Sequence, residues 1–120
     1  MSFMITGDPR VIKEIITTTL APEKTFKWGK ETVTIALVTK EPTKVTNKLS
    51  GESVILPPDQ VDLYDVMVGT EMMLDGRGPW PQGMTPEQDA KFKRDQVQQF
   101  RTIRYWFRDN NYTAYQKLID

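Results

Sequence analysis

The sequence predicts an α+β fold for this chain of 120 residues, and two observations support that prediction. Apolar residues recur at helical spacing near the start of the chain and in two long segments of its second half. Between them, residues 25–56 alternate apolar and polar positions and are rich in β-branched side chains, which is typical of hairpins or a short β-meander. We expect a single domain over residues 1–120, with an N-terminal helix, the β region, a C-terminal helical pair and a short terminal helix.

The N-terminal helix is predicted over residues 8–20. Asp8 can cap its first turn, and Pro9 suits its first helical position. The helix should end before Pro22, because the residue that precedes a proline avoids helical angles. The apolar residues that recur every three to four positions are Val11, Ile12, Ile15, Ile16 and Leu20. This spacing predicts an amphipathic helix that faces the core.

Two β-hairpins are predicted within the β region. The first covers residues 25–38, where apolar and polar side chains alternate on both sides of a reversal near Gly29. The second pairs residues 43–45 with residues 53–56 and reverses at Gly51. We expect these hairpins to pack against the N-terminal helix and the C-terminal helical pair.

The first helix of the C-terminal pair is predicted to begin at Pro57 and Pro58 and to end at Gly76. The second is predicted over residues 86–108, because Thr85 and Gln88 have the spacing of a capping box. The apolar side chains predicted to be buried between the two helices are Val61, Tyr64, Val68, Val97, Phe100, Ile103 and Phe107. A break at residues 109–111 leaves a short terminal helix.

Charge is distributed unevenly between these two segments, although 16 basic residues balance 16 acidic ones in the whole chain. Residues 57–76 contain five acidic residues and no Lys or Arg, and residues 77–108 contain seven basic and three acidic residues. One interpretation is that the neighbouring helices pair, with Asp59, Asp62 or Asp65 meeting the arginines of the second helix. The other is that each helix presents its charge to a partner.

The composition excludes several classes of function. The chain has no Cys and no His, which excludes disulfides, Cys/His metal sites and catalysis that depends on a thiol or an imidazole. No apolar run reaches the roughly 18 residues of a membrane span, and no secretory signal is evident at the N-terminus. The balanced net charge argues against a main role on nucleic acid or anionic lipid. We therefore expect a protein made in the cytoplasm that has no membrane partner.

The loop over residues 75–86 contains the first candidate binding residues, Arg77 and Trp80. Trp80 lies between Pro79 and Pro81, which restrict the backbone, and the Trp80–Pro81 bond is a candidate for the cis form. An exposed Trp in this position would be a preorganised anchor for a protein partner. The alternative is that Trp80 folds back and covers the core.

The helix over residues 86–108 contains the other candidate binding residues. Arg94, Arg101 and Arg108 are seven positions apart and fall along one stripe, and Trp106 adds a large aromatic surface. This stripe is a candidate site for a protein partner or for self-association. Arginines interleaved with aromatic residues are also typical of single-stranded nucleic-acid binding, which is the main alternative.

Catalytic motifs are absent from the sequence. It has no phosphate-binding glycine loop and no nucleophile elbow, so we expect a non-enzymatic protein with no catalytic residue, no metal ligand and no cofactor. The second alternative is a carboxylate–metal enzyme, since Asp59, Asp62 and Asp65 lie three positions apart on one helix.

Two segments, residues 49–69 and 105–120, resemble small uncharacterised proteins of tailed marine and cyanobacterial phages. The matching residues are Gly51, Tyr64, Asp65, Trp106, Phe107, Arg108, Tyr115, Leu118 and Asp120. No catalytic residue or cofactor comes with the resemblance. It implies a phage context. We expect a non-enzymatic phage protein that acts by protein–protein contact, either as a small virion component or as an early protein that binds a host factor. Its expected location is accordingly the virion or the host cytoplasm.

Overall fold

The computed structural model describes residues 22–120, and they form the predicted α+β fold. The elements are strands β1 (Glu23–Trp28), β2 (Glu31–Ala36), β3 (Thr43–Thr46) and β4 (Ser53–Leu56), helices α1 (Pro58–Leu74), α2 (Pro86–Asn110) and α3 (Tyr112–Ala114), and a π-helical turn (Tyr115–Ile119). The predicted N-terminal helix over residues 8–20 lies outside the described residues.

Strands β1 and β2 form the first hairpin, which is antiparallel and places Phe26 opposite Val33. The chain reverses at Gly29, whose φ of 60° is a conformation that glycine adopts without steric cost. Phe26, Val33 and Ile35 are buried, and the residues between Val33 and Ile35 and on either side of Phe26 are not. The alternation in the sequence therefore marks the core face of this hairpin correctly.

Strands β3 and β4 form the second hairpin, with Val45 opposite Val54. It is a separate two-stranded sheet, so the β region consists of two hairpins and not of a continuous meander. Leu56, at the end of β4, is completely buried and leads directly into α1. Ile55 points to solvent, as expected for a hairpin with one face on the core.

Helix α1 starts where Pro57 and Pro58 predict and is followed by Gly76 with a positive φ of 75°. Asp62 of this helix is only 4% exposed. Its carboxylate accepts hydrogen bonds from the backbone N–H groups of Val38 (2.8 Å) and Thr39 (3.1 Å) and from the Thr39 hydroxyl (2.6 Å). The segment between the two hairpins is thus attached to the surface of α1 by Asp62.

Helix α2 begins with the predicted capping box, in which the Thr85 side chain accepts from the Gln88 N–H and the Gln88 side chain accepts from the Thr85 N–H. It ends at Asn110, two residues beyond the predicted end. Asn111 then caps the following turn, because its side chain accepts from the Ala114 N–H and donates to Gln60 of α1 (2.8 Å).

The two long helices are antiparallel. Tyr64 near the start of α1 meets Phe107 near the end of α2, with ring centroids 6.4 Å apart, and Thr70 accepts a hydrogen bond from Gln99 (2.8 Å). Both helices, both hairpins and the C-terminal turns contribute to one core. Its buried apolar residues are Phe26, Val33, Ile35, Leu56, Val61, Leu63, Met67, Ile103, Phe107, Ala114 and Leu118.

One predicted core residue is misplaced. Val61, Ile103 and Phe107 are buried, and Tyr64, Val68 and Phe100 are half-buried against the core, but Val97 is 37% exposed. A step of three residues falls about 60° short of a full helical turn, so a stripe built from such steps rotates around the helix. Val97 lies about 120° around α2 from Ile103, and this rotation carries it out of the core.

Candidate functional site

An open groove runs along the side of α2 that faces away from α1. The described residues that line it are Ala90, Lys93, Arg94, Val97, Gln98 and Arg101, and we call it the α2 groove. Ala90, Arg94, Val97 and Arg101 are separated by four, three and four positions, which places them on one side of a helix. Ala90 and Val97 provide apolar surface at the centre, and Lys93, Arg94 and Arg101 surround it with positive charge.

The expected pairing of these arginines with the acidic start of α1 is wrong. Asp59 pairs with Lys24 of β1, Asp62 is saturated by backbone and hydroxyl donors, and Asp65 is exposed. Within residues 22–120, Arg94 and Arg101 form no ion pair. For Arg94 and Arg101 the reason is topological, since the antiparallel arrangement sets the acidic start of α1 beside the end of α2. Arg108, which does lie at that end, pairs with Asp109.

Arg108 lies further along α2, in a cluster that joins the helix to the first hairpin. Its Nε donates to Asp109 Oδ1 (3.0 Å), and Trp28 Nε1 donates to Asp109 Oδ2 (2.8 Å). The guanidinium group lies over the Tyr105 ring, 4.6 Å from its centroid, and Tyr105 in turn packs on Trp28 with centroids 4.8 Å apart. Arg108 is therefore held in one orientation by contacts within its own chain.

The hydrogen bonds of this cluster also shift its titration. The bond to Asp109 raises the pKa of the Arg108 guanidinium above its ordinary value. The bonds from Arg108 and then Trp28 lower the pKa of the Asp109 carboxyl. Both groups are thus kept charged, which suits a fixed ion pair at the surface.

Trp106, the candidate next to this cluster, packs inside the protein. Its ring is half-buried and meets Phe26 edge to face at 4.9 Å and Phe107 at 5.3 Å. These contacts attach the first hairpin to α2. The contribution of Trp106 that is visible in the structure is therefore packing.

Trp80 folds back onto the first turns of α2 and remains half-exposed. Its Nε1 donates to Asp89 Oδ1 (2.7 Å), and its ring meets Phe92 edge to face at 5.0 Å. The peptide bonds of residues 22–120 are all trans, so the expected cis candidate before Pro81 is not realised. Arg77, the other candidate in this loop, is exposed and pairs with Asp75 at 3.0 Å.

A second, smaller pocket connects Trp80 with the α2 groove. It is lined by Met73, Leu74, Gly76, Trp80, Asp89 and Lys93. Lys93 lines both depressions, so the Trp80 pocket and the α2 groove adjoin at this residue. Arg94 and Arg101 therefore lie in the α2 groove and Trp80 in the adjoining pocket, whereas Arg77, Trp106 and Arg108 belong to other contacts.

The sequence did not identify Ala90, Lys93, Val97 and Gln98 as parts of this surface. The spacing of Ala90, Arg94, Val97 and Arg101 was a usable signal, because it puts two small apolar residues and two arginines on one stripe. Burial of Val97 is predicted from the apolar stripe that it forms with Phe100, Ile103 and Phe107, and that stripe obscures this signal.

The three carboxylates that suggested a metal site do not converge. Asp59 turns towards β1, Asp62 turns towards the segment between the hairpins, and Asp65 is exposed. Within residues 22–120, no group of three or more acidic side chains is arranged to hold a metal ion. None of the helices in this part of the chain combines the length and hydrophobicity needed to cross a membrane.

Comparison of the chain with protein-family models, with curated proteins and with solved structures gives no match. The α2 groove is therefore considered by its own geometry and chemistry.

Proposed function

We propose that this chain is a non-enzymatic protein that works by protein–protein contact and that its contact surface is the α2 groove. The observation that carries the proposal is the exposed Val97, 37% accessible, between arginines that have no acidic partner within residues 22–120. An apolar centre with a charged rim is the ordinary anatomy of a protein interface. The complementary surface is an apolar side chain flanked by carboxylates.

A protein partner is favoured over single-stranded nucleic acid by the contacts of two aromatic residues, Tyr105 and Trp80. Stacking on bases requires exposed ring faces. Tyr105 is already covered by Trp28 and Arg108, and Trp80 is held by Asp89 and Phe92. The balanced charge of the chain points the same way, because nucleic-acid binding depends on a basic excess.

The resemblance to phage proteins supplies the proposed biological setting. In that setting the protein is either a small virion component or an early protein that binds a host factor in the host cytoplasm. Mass spectrometry of purified particles distinguishes these roles. Stoichiometric presence in particles supports the first, and absence from particles with abundance early in infection supports the second.

The proposed surface is tested by reversing its charge. Tagged full-length protein and its Arg94→Glu/Arg101→Glu variant are expressed in the cells where the protein is naturally made, and captured proteins are quantified. Lys44→Glu/Lys48→Glu is the matched control, because it reverses two exposed lysines on the second hairpin. Loss of the same captured proteins from the arginine variant alone supports the proposal, and equal capture by both variants contradicts it.

The nucleic-acid alternative is tested separately by fluorescence anisotropy. Labelled oligothymidylate and oligouridylate are titrated with the full chain at about 50 mM and about 200 mM salt. Tight binding that weakens steeply with salt and is lost in the arginine variant would assign the groove to nucleic acid. Weak binding that is equal for the wild-type chain and the arginine variant agrees with a protein partner.

A further inference from the structure

A second exposed surface lies on α1, on the side opposite its buried residues. Asp65, Gly69 and Met72 are exposed there, and Val68 is half-buried between them. These four residues are the α1 outer face. Their spacing of three and four positions makes a continuous stripe, about 10 Å long from Asp65 to Met72.

Gly69 is the unusual member of this face. Glycine is a poor residue for the middle of a helix, because its backbone loses the most freedom on folding. Its absent side chain serves no close contact in the described fold, since a Cβ built on Gly69 meets nothing within 4 Å. A backbone or small side chain approaching from outside would use that space.

Negative charge flanks the apolar part of the α1 outer face: Asp65 lies within the face, and the exposed Glu71 lies at its edge, three positions from Val68. Asp65 and the adjacent exposed Glu71 form no ion pair within residues 22–120. Partial burial and then the charge of Asp62 raise the pKa of the Asp65 carboxyl. A cation brought close to Asp65 from outside would relieve that repulsion.

The α1 outer face and the α2 groove are complementary. One presents Met72 beside carboxylates, and the other presents Val97 between arginines. Arg94 and Arg101 are seven positions apart, as are Asp65 and Met72, so the α1 outer face matches in length the part of the α2 groove that lies between these two arginines. They cannot meet within one molecule, because Thr70 and Gln99 bond on the inner sides of the two helices and both stripes point outwards.

We infer that the α1 outer face of one copy binds the α2 groove of a second copy, with Val97 seated against Val68 and Met72, beside Gly69, and with Arg94 and Arg101 meeting Asp65 and Glu71, which flank these two apolar residues. The inference rests on the proposed role of the α2 groove and makes a second copy its partner. Because the two surfaces differ and lie on opposite sides of the helical pair, the contact is heterologous. Repetition of this contact builds a ring or a filament.

The inference is tested by sedimentation velocity of the full chain over concentrations from about 10 μM to about 500 μM. We expect association that weakens by about tenfold or more between 20 mM and 500 mM salt, because the rim contacts are screened. Arg94→Glu/Arg101→Glu and Asp65→Lys/Glu71→Lys should each sediment as monomers. An equimolar mixture of the two variants should associate again, since each retains one surface that fits the other.

The Gly69→Leu substitution tests the contact between copies without disturbing the fold of each copy. The added side chain meets open space in the monomer, so the thermal unfolding midpoint should not fall, whereas self-association should weaken by about tenfold or more. Lys44→Glu/Lys48→Glu is the charge control and should associate like the wild type.

The outcomes distinguish this inference from the proposed function. A wild type that remains monomeric at every concentration overturns self-association, and the proposed function still stands if the arginine variant loses its captured partners. Association that survives both charge reversals, or that persists in Gly69→Leu, overturns the assigned contact. Failure of the mixed variants to associate also contradicts it.

Discussion

The two sides of α2 differ in the burial of their apolar residues and in the contacts of their polar residues. On the inner side, Ile103 and Phe107 are buried, and the polar Gln99 and Thr102 both form hydrogen bonds inside the protein. On the outer side, Val97 is exposed and the neighbouring arginines have no ion pair within the described part of the chain. The two sides therefore differ in how deeply their apolar residues are buried and in the hydrogen bonds that their polar residues form.

A similar contrast exists between two carboxylates of α1. Asp62 is buried and accepts three hydrogen bonds, so its charge is used to hold the fold together. Asp65, three positions further on, is exposed, and its pKa is raised rather than lowered. The first residue holds the fold together, and the second forms no ion pair within residues 22–120.

The largest expected effect on the unfolding free energy comes from removing a buried aromatic ring from the inner side of α2. Phe107→Ala should reduce the free energy of unfolding by about 3 to 5 kcal/mol, because the ring is completely buried. Val97→Ala on the outer side should change it by less than about 0.5 kcal/mol. Urea denaturation of both variants checks the comparison, and similar costs for the two would place Val97 in the core after all.

Removal of the Asp62 carboxylate should have the next largest effect. Asp62→Ala leaves the N–H groups of Val38 and Thr39 without their acceptor, which should cost about 2 to 3 kcal/mol of unfolding free energy. The same measurement on Asp65→Ala should give a change of less than about 0.5 kcal/mol, since that residue is exposed.

The two carboxylates should also give opposite pH dependences of stability. Burial by itself would raise the pKa of the Asp62 carboxyl, but the hydrogen bonds from Thr39 and Val38 outweigh burial and lower it. The unfolded state then binds more protons at acidic pH, so this contribution is present above the unfolded pKa of about 3.9 and is lost as the pH falls through the lower folded pKa.

Asp65 has the reverse sign, because its folded pKa is raised and its ionised form opposes folding. Unfolding free energies measured from pH 7 down to about pH 3 should therefore fall less steeply for Asp62→Asn than for the wild type. Asp65→Asn should preserve or steepen the fall. If the unfolding free energy of Asp62→Asn fell with pH as steeply as that of the wild type, the hydrogen bonds to Asp62 would not be maintained in solution.

A smaller effect is expected at Trp80, whose side chain contributes to folding and adjoins the proposed contact surface. Trp80→Ala should cost about 1 kcal/mol of unfolding free energy through loss of the Phe92 contact and the bond to Asp89. Partner capture should fall as well, because the Trp80 pocket adjoins the α2 groove. Thermal unfolding together with quantified capture separates these effects, and unchanged capture would remove Trp80 from the contact surface.

The smallest effect on folding is expected for the arginines of the groove. Arg94→Glu/Arg101→Glu should change the unfolding free energy by less than about 0.5 kcal/mol per substitution, since neither residue has an ion pair to lose within residues 22–120. A larger loss in urea denaturation would mean that these arginines support the fold, and the contrast between the two sides of α2 would then fail.

The sequence alone predicted the α+β class, both hairpins and the starts of both long helices, because local signals determine each of them. Gly29 and Gly51 mark reversals, Pro58 begins a helix, and the Thr85 capping box begins another. Such signals act over a few residues, so they can be read without knowing where the chain goes next.

Only the tertiary structure decided which polar side chains find partners within the fold and which apolar side chains remain exposed. The sequence suggested that Asp62 would meet an arginine and that Val97 would join the core. The antiparallel packing of α1 on α2 and the rotation of the apolar stripe decide otherwise. Partners such as Thr39 for Asp62 are distant in the sequence, and the choice among them depends on how whole elements pack.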